Sequence, residues 1–139
     1  MRRSLFLASV CALALAAAAC GGSDTTPTAP TAPVPTAGTE TFVGLMAPGG
    51  TAVRTFTASA AGTASITLST TDPGGIVLGF GIGIPGSNVG ACDMTKTLQA
   101  QAGAQITAPV EAGLYCAGTF DIGTVGKTGV VVGLTVTHP

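Results

Sequence analysis

The feature that most narrows the fold is a period of two. From Thr39 onward apolar residues alternate with polar or very small ones, Gly and Pro punctuate the runs, and no stretch repeats at the helical period of about 3.6 residues. Strands bury alternate positions, so the pattern predicts an all-β chain. It is clearest over residues 63–71, where Ala64, Ile66, Leu68 and Thr70 alternate with Ser65, Thr67 and Ser69. Asp72-Pro73-Gly74-Gly75 follows as turn chemistry, Pro presetting φ and Gly accepting positive φ. The turn leads into residues 76–84, where Leu78, Phe80, Ile82 and Ile84 alternate with Gly79, Gly81 and Gly83, and the two runs are expected to pair as a hairpin. Further strands are expected at residues 40–46, 52–58, 91–98, 105–108, 113–122 and 129–137, the last with Val130, Val132, Leu134 and Val136 on one face. About seven or eight strands in about 100 residues predict a two-sheet antiparallel sandwich, in which each apolar face covers the other.

Composition supports a packed domain and removes several functions. Of 139 residues, 46% are apolar and only 8% charged, which is not the balance of a disordered chain. Beyond the first twenty residues the cations are Arg54, Lys96 and Lys127, against Asp24, Glu40, Asp72, Asp93, Glu111 and Asp121. No phosphate-binding face can be assembled from three cations, so no nucleic-acid partner is expected. There is one Tyr, no Trp and a single His, His138, next to the C-terminus and expected as a strand-end surface residue. With no G-x-S-x-G elbow and no other candidate base, no catalytic residues and no enzyme are expected. The scattered carboxylates predict neither a glycosidase pair nor a metal site, and no cofactor is expected. Gly79, Gly81 and Gly83 share one strand face and so do not form a phosphate loop. That face is expected either to lie under close backbone or aromatic packing, or to be a flat surface on which another chain or an extended peptide rests. Phe42, Phe56, Phe80, Phe120 and Tyr115 are expected to supply core bulk.

The N-terminus reads as an address. Arg2 and Arg3 precede an apolar run over residues 5–19 that ends in small side chains, so residues 1–19 form an export signal. The run falls short of the about 20 residues a spanning helix needs, and Gly-Gly-Ser-Asp follows it rather than a basic stop. Its end, Leu15-Ala16-Ala17-Ala18-Ala19-Cys20-Gly21, resembles the lipobox of bacterial lipoproteins, in which the Cys is acylated and becomes the new N-terminus. The family usually carries Leu three residues before the Cys, where this chain has Ala17. The alternative is ordinary secretory cleavage after Ala17-Ala18-Ala19, which would leave Cys20 as a plain thiol. Cysteine parity favours acylation. Cys11 leaves with the signal, so the exported chain holds Cys20, Cys92 and Cys116, an odd number in an oxidising compartment. With Cys20 lipidated, Cys92 and Cys116 are left to form a disulfide closing a loop of about 25 residues and contributing roughly 3 kcal/mol. Neither has a C-x-x-C partner or a nearby His that would favour redox or metal chemistry. Each buried acyl CH₂ contributes about 0.8 kcal/mol, so two or more chains such as palmitate tether the protein without spanning the membrane.

Residues 20–38 read as the lipidated Cys and a Pro/Thr-rich tether. Pro27, Pro30, Pro33 and Pro35 lie among Thr and Ala, a composition that favours polyproline II. At about 3.1 Å per residue, its residues 23–38 can hold the folded part up to roughly 50 Å from the lipid.

Residues 39–139 are expected as the β-sandwich. Glu40-Thr41-Phe42, Pro48-Gly49-Gly50 and Phe56-Thr57 lead to Gly62-Thr63 and the strand Ile66-Thr67-Leu68. Ala112-Gly113-Leu114-Tyr115-Cys116 then runs through Asp121 and Gly123 to Leu134-Thr135-Val136. The set resembles the bacterial pre-peptidase C-terminal-like domain. That resemblance implies a jelly-roll-like sandwich and a non-catalytic accessory role, in secretion or in contacting substrates such as collagen or polysaccharide. Some relatives bind calcium through carboxylates clustered at the start of the domain, where this chain has Glu40 alone. The expected function is therefore a lipid-anchored, non-enzymatic lipoprotein of the bacterial cell envelope, on the periplasmic or outer face of a membrane, contacting an envelope protein or polysaccharide. A binding role predicts a groove or an exposed aromatic near the loops at residues 85–91 or 121–127. The alternative is a structural or self-associating surface protein without a specific ligand.

Overall fold

The computed structural model describes residues 36–139; the signal at 1–19, Cys20 and most of the tether lie outside them. Eight strands form: β1 (Gly38–Met46), β2 (Thr51–Ala58), β3 (Gly62–Asp72), β4 (Leu78–Pro85), β5 (Cys92–Ala100), β6 (Gln105–Val110), β7 (Gly113–Phe120) and β8 (Val130–His138). They make two four-stranded antiparallel sheets, ordered β1-β8-β3-β6 and β2-β7-β4-β5. No helix occurs among the described residues. Consecutive strands mostly alternate between the sheets, which gives the strand order of a jelly roll.

The period-two pattern decides which face is dry. In β3 Ala64, Ile66 and Leu68 are fully buried, and in β4 so are Leu78, Phe80 and Ile82. They join Met46, Phe56, Val132, Leu134 and Val136 in a single core between the sheets. Each such large side chain contributes about 1.5–3 kcal/mol by leaving water. On the opposite face of the first sheet, hydroxyls line up across strands. Thr39 bonds Thr137 at 3.3 Å, Ser69 bonds Thr135 at 2.6 Å, and Gln105 Nε2 donates to Thr67 Oγ1 at 3.1 Å.

All eight expected strands are present, but the expected hairpin of β3 with β4 is not. β3 lies between β8 and β6 in one sheet, and β4 between β7 and β5 in the other. A hairpin would set both apolar faces side by side. Residues 73–77 instead cross the roughly 10 Å between sheets, so that the two faces meet across the core.

Gly79, Gly81 and Gly83 are buried, and the second of the two readings for them, an open flat surface, does not hold. A Cβ on Gly79 would strike the Phe120 ring, one on Gly81 the Lys96 carbonyl and one on Gly83 the Asp93 carbonyl. Phe120 thus departs from its expected place in the core: it is half-buried and covers the outer face of β4. The missing side chains let β5 draw in over that face, which a flat strand pair would not permit.

Cys92 and Cys116 form the expected disulfide, with Cα atoms 5.9 Å apart, joining the start of β5 to the middle of β7. His138 is not a surface residue. It continues the inward series of Val132, Leu134 and Val136 and is only 9% exposed. Its ring stacks on Phe56 at 5.2 Å between centroids, and Nε2 lies 3.1 Å from Glu40 Oε1. Gly38 makes this possible, because a Cβ there would sit 2.9 Å from the imidazole.

Replacing Gly81 with Ala forces the Lys96 backbone outward and is expected to cost about 1–3 kcal/mol in urea unfolding. Gly126→Ala, where nothing lies within 4 Å of the added carbon, is expected to stay within about 0.5 kcal/mol. Equal stability of the two variants would show that β5 does not rest on the glycine face.

Candidate functional site

The two sheets are open along their sides, and β1 and β2 end their sheets on the same side. Along that side runs a channel in two joined stretches. The first, of about 310 Å³, has a floor of Phe42, Ala52, Val132 and Leu134, with the outward-facing Val43 and Leu45 of β1 at its rim. The second, of about 480 Å³, lies between Val53, Arg54 and Thr55 of β2 and the β4–β5 loop at residues 85–91. Val53, Arg54 and Gly90 line both stretches.

Local chemistry explains the walls. The β4–β5 loop is closed by Gly86 N–H donating to Ala91 O and Ala91 N–H donating to Asn88 O, both at 3.0 Å. The Cys92–Cys116 bond follows immediately and fixes the base of the loop to β7, the neighbour of β2. Val89 at the tip is fully exposed, and Val43 and Leu45 opposite are 64% and 73% exposed.

Arg54 is the one charged side chain in the channel among the described residues. It occupies the strand parity of Ala52, Phe56 and Ala58, which is inward, but at the sheet edge this position opens to solvent. Its Nη1 donates to the Val53 carbonyl at 3.0 Å, and among the described residues no carboxylate pairs with it. The guanidinium therefore keeps most of its donors for something else. The opposite side of the sandwich is closed differently: Lys96 on β5 reaches across and its Nζ donates to the Thr107 carbonyl of β6 at 2.5 Å.

At the second expected loop, residues 121–127, backbone N–H groups of the loop and of the β1–β2 turn converge on Asp121. Asp121 Oδ2 accepts from Gly49 N–H at 2.8 Å, and Oδ1 accepts from Gly123 and Thr124 at 2.8 Å and from Val125 at 3.1 Å. Led by the Gly49 bond, these donors hold its pKa down from 3.8 to about 2. The carboxylate pins the β1–β2 turn to the β7–β8 loop, and so sets one end of the channel.

Glu40 is paired with His138, and no Ser or Cys side chain bonds either one among the described residues. No three of His, Cys, Asp and Glu gather into a cluster there. Among the sequence-derived residues, Cys92 and Cys116 come together and support the channel, whereas Cys20 lies outside the described residues. Sequence reasoning did not single out Arg54. Its signal was present as a charge at an inward position in a chain with very few cations. No known protein-family model matches the chain, and no curated protein matches it.

A depressed carboxylate adds stability above its unfolded pKa, and that stability is lost as pH falls through the folded value. Stability is therefore expected to drop between about pH 3.8 and about pH 2 in wild type, and Asp121→Asn is expected to flatten that part of the profile. Thermal unfolding across this range checks it; an identical profile for both proteins would remove the role given to Asp121.

Proposed function

We propose that the chain is a lipid-anchored, non-enzymatic lipoprotein of the bacterial cell envelope, whose β-sandwich is an accessory binding module for a protein or a polysaccharide. The channel along β1 and β2 carries the binding half of this reading: it joins an apolar floor to a guanidinium that no carboxylate among the described residues pairs with. Sites that take ligands join apolar contact to a few fixed polar groups, and this channel has both. The anchor rests on the charged start at Arg2 and Arg3, the apolar run at residues 5–19 and the odd cysteine at Cys20. The accessory role rests on the resemblance to the pre-peptidase C-terminal-like domain in the sequence.

One observation favours self-association instead. Val43, Leu45 and Val131 are exposed, and Leu45 pairs with Val131 across β1 and β8, so they make a small apolar patch beside the channel.

Chemical crosslinking in intact cells, followed by capture of a C-terminally tagged chain and mass spectrometry, separates the two. The binding reading expects a stoichiometric heterologous protein or a cell-wall glycan, with Cys20→Ser lost from the membrane fraction. Adducts of the chain with itself alone would support the self-associating protein, and a Cys20→Ser variant that stays membrane-bound would overturn the anchor.

A further inference from the structure

Resting on the binding-module reading, we infer that the channel takes an extended peptide bearing a carboxylate between aliphatic side chains, laid along the free edge of β2 with its acid on Arg54. Three observations converge on this chemistry. First, β2 pairs only with β7, and no other backbone bond among the described residues takes up its far side. That side offers N–H and C=O groups at the spacing of another strand, which a peptide complements and a sugar chain does not. Second, the walls beside this edge are apolar: Ala52, Val132 and Leu134 below it and Val89 from the loop, with the outward-facing Val43 and Leu45 of β1 only at the rim. An extended chain in the channel places alternate side chains against such walls. Among the described residues the only ring lining it is Phe42, half-buried against the core, so they present no exposed stacking platform for a saccharide.

Third, the charge has one sign. Among the described residues no Asp or Glu lines either stretch of the channel, although residues 39–139 hold more carboxylates than cations. Arg54 offers a fork of donors matched to a carboxylate. The same charge argues against a second copy as occupant, because pairing β2 with β2 would bring two guanidinium groups together. An open edge that would otherwise invite self-pairing is thereby made selective for an acidic strand.

The test uses the full chain in detergent and a labelled, capped five-residue peptide with a central glutamate between valines, beside its glutamine analogue. Fluorescence anisotropy is expected to show the glutamate peptide binding about tenfold more tightly. Arg54→Gln is expected to erase that difference without changing the thermal midpoint, and Arg54→Lys to restore part of it. Hydrogen exchange with bound peptide is expected to slow at residues 51–55. Equal affinity for the two peptides, no binding at millimolar peptide, or protection elsewhere would overturn the inference. An oligogalacturonate serves as the parallel probe. If it protects residues 51–55 and the peptide does not, the peptide is the wrong class while the binding-module reading stands. Binding of neither overturns the inference, and the crosslinking result then decides the broader reading independently.

Discussion

The domain depends on two apolar sheet faces having only each other to cover them. With so few aromatics and no helix among the described residues, the bulk at Phe80, Ile66, Leu68, Leu78 and Met46 has to meet in one layer. That requirement sends the chain from sheet to sheet at nearly every turn. It also leaves the sides of the sandwich as the places where the core comes nearest to water. One side is bridged by Lys96 on the Thr107 carbonyl; on the other, Arg54 lines the same channel as Phe42, Val132 and Leu134, and no carboxylate among the described residues pairs with it.

The architecture was largely legible because a two-residue period is a local property of strands. The alternation in residues 63–71 gives β3, and that of Leu78, Phe80 and Ile82 gives β4. Pairing is not local. Asp72-Pro73-Gly74-Gly75 has the composition of a tight turn, yet whether a turn closes a hairpin or carries the chain to the other sheet depends on which edges are already taken. The same limit explains His138: the inward series in β8 extends to it, but only Phe56, Glu40 and Gly38, distant in sequence, make room for an imidazole in the interior. Phe120 shows the converse, since a bulky ring can serve a sheet's outer face where glycines leave a hollow.

The site was legible only in outline. The loop at residues 85–91 was marked by its turn residues, and the cysteines by parity, but their joint effect appears only when β7 is seen to lie beside β2. Arg54 was hidden for the same reason. An inward parity reads as core until the strand proves to be an edge, and edge position follows from the whole topology. One disulfide and one carboxylate, Asp121, then hold the two ends of the channel, so neither of its walls depends on the core alone.

If the channel is where this protein meets its partner, it is covered in the living cell. Hydroxyl-radical footprinting of intact cells and of the purified chain tests this directly. Val43, Leu45 and Val89 should be modified several-fold less in cells, while Leu114 and Leu98, exposed on other strands, should be modified equally in both. Equal modification of these channel-lining residues in cells and in isolation would contradict a binding role for this edge.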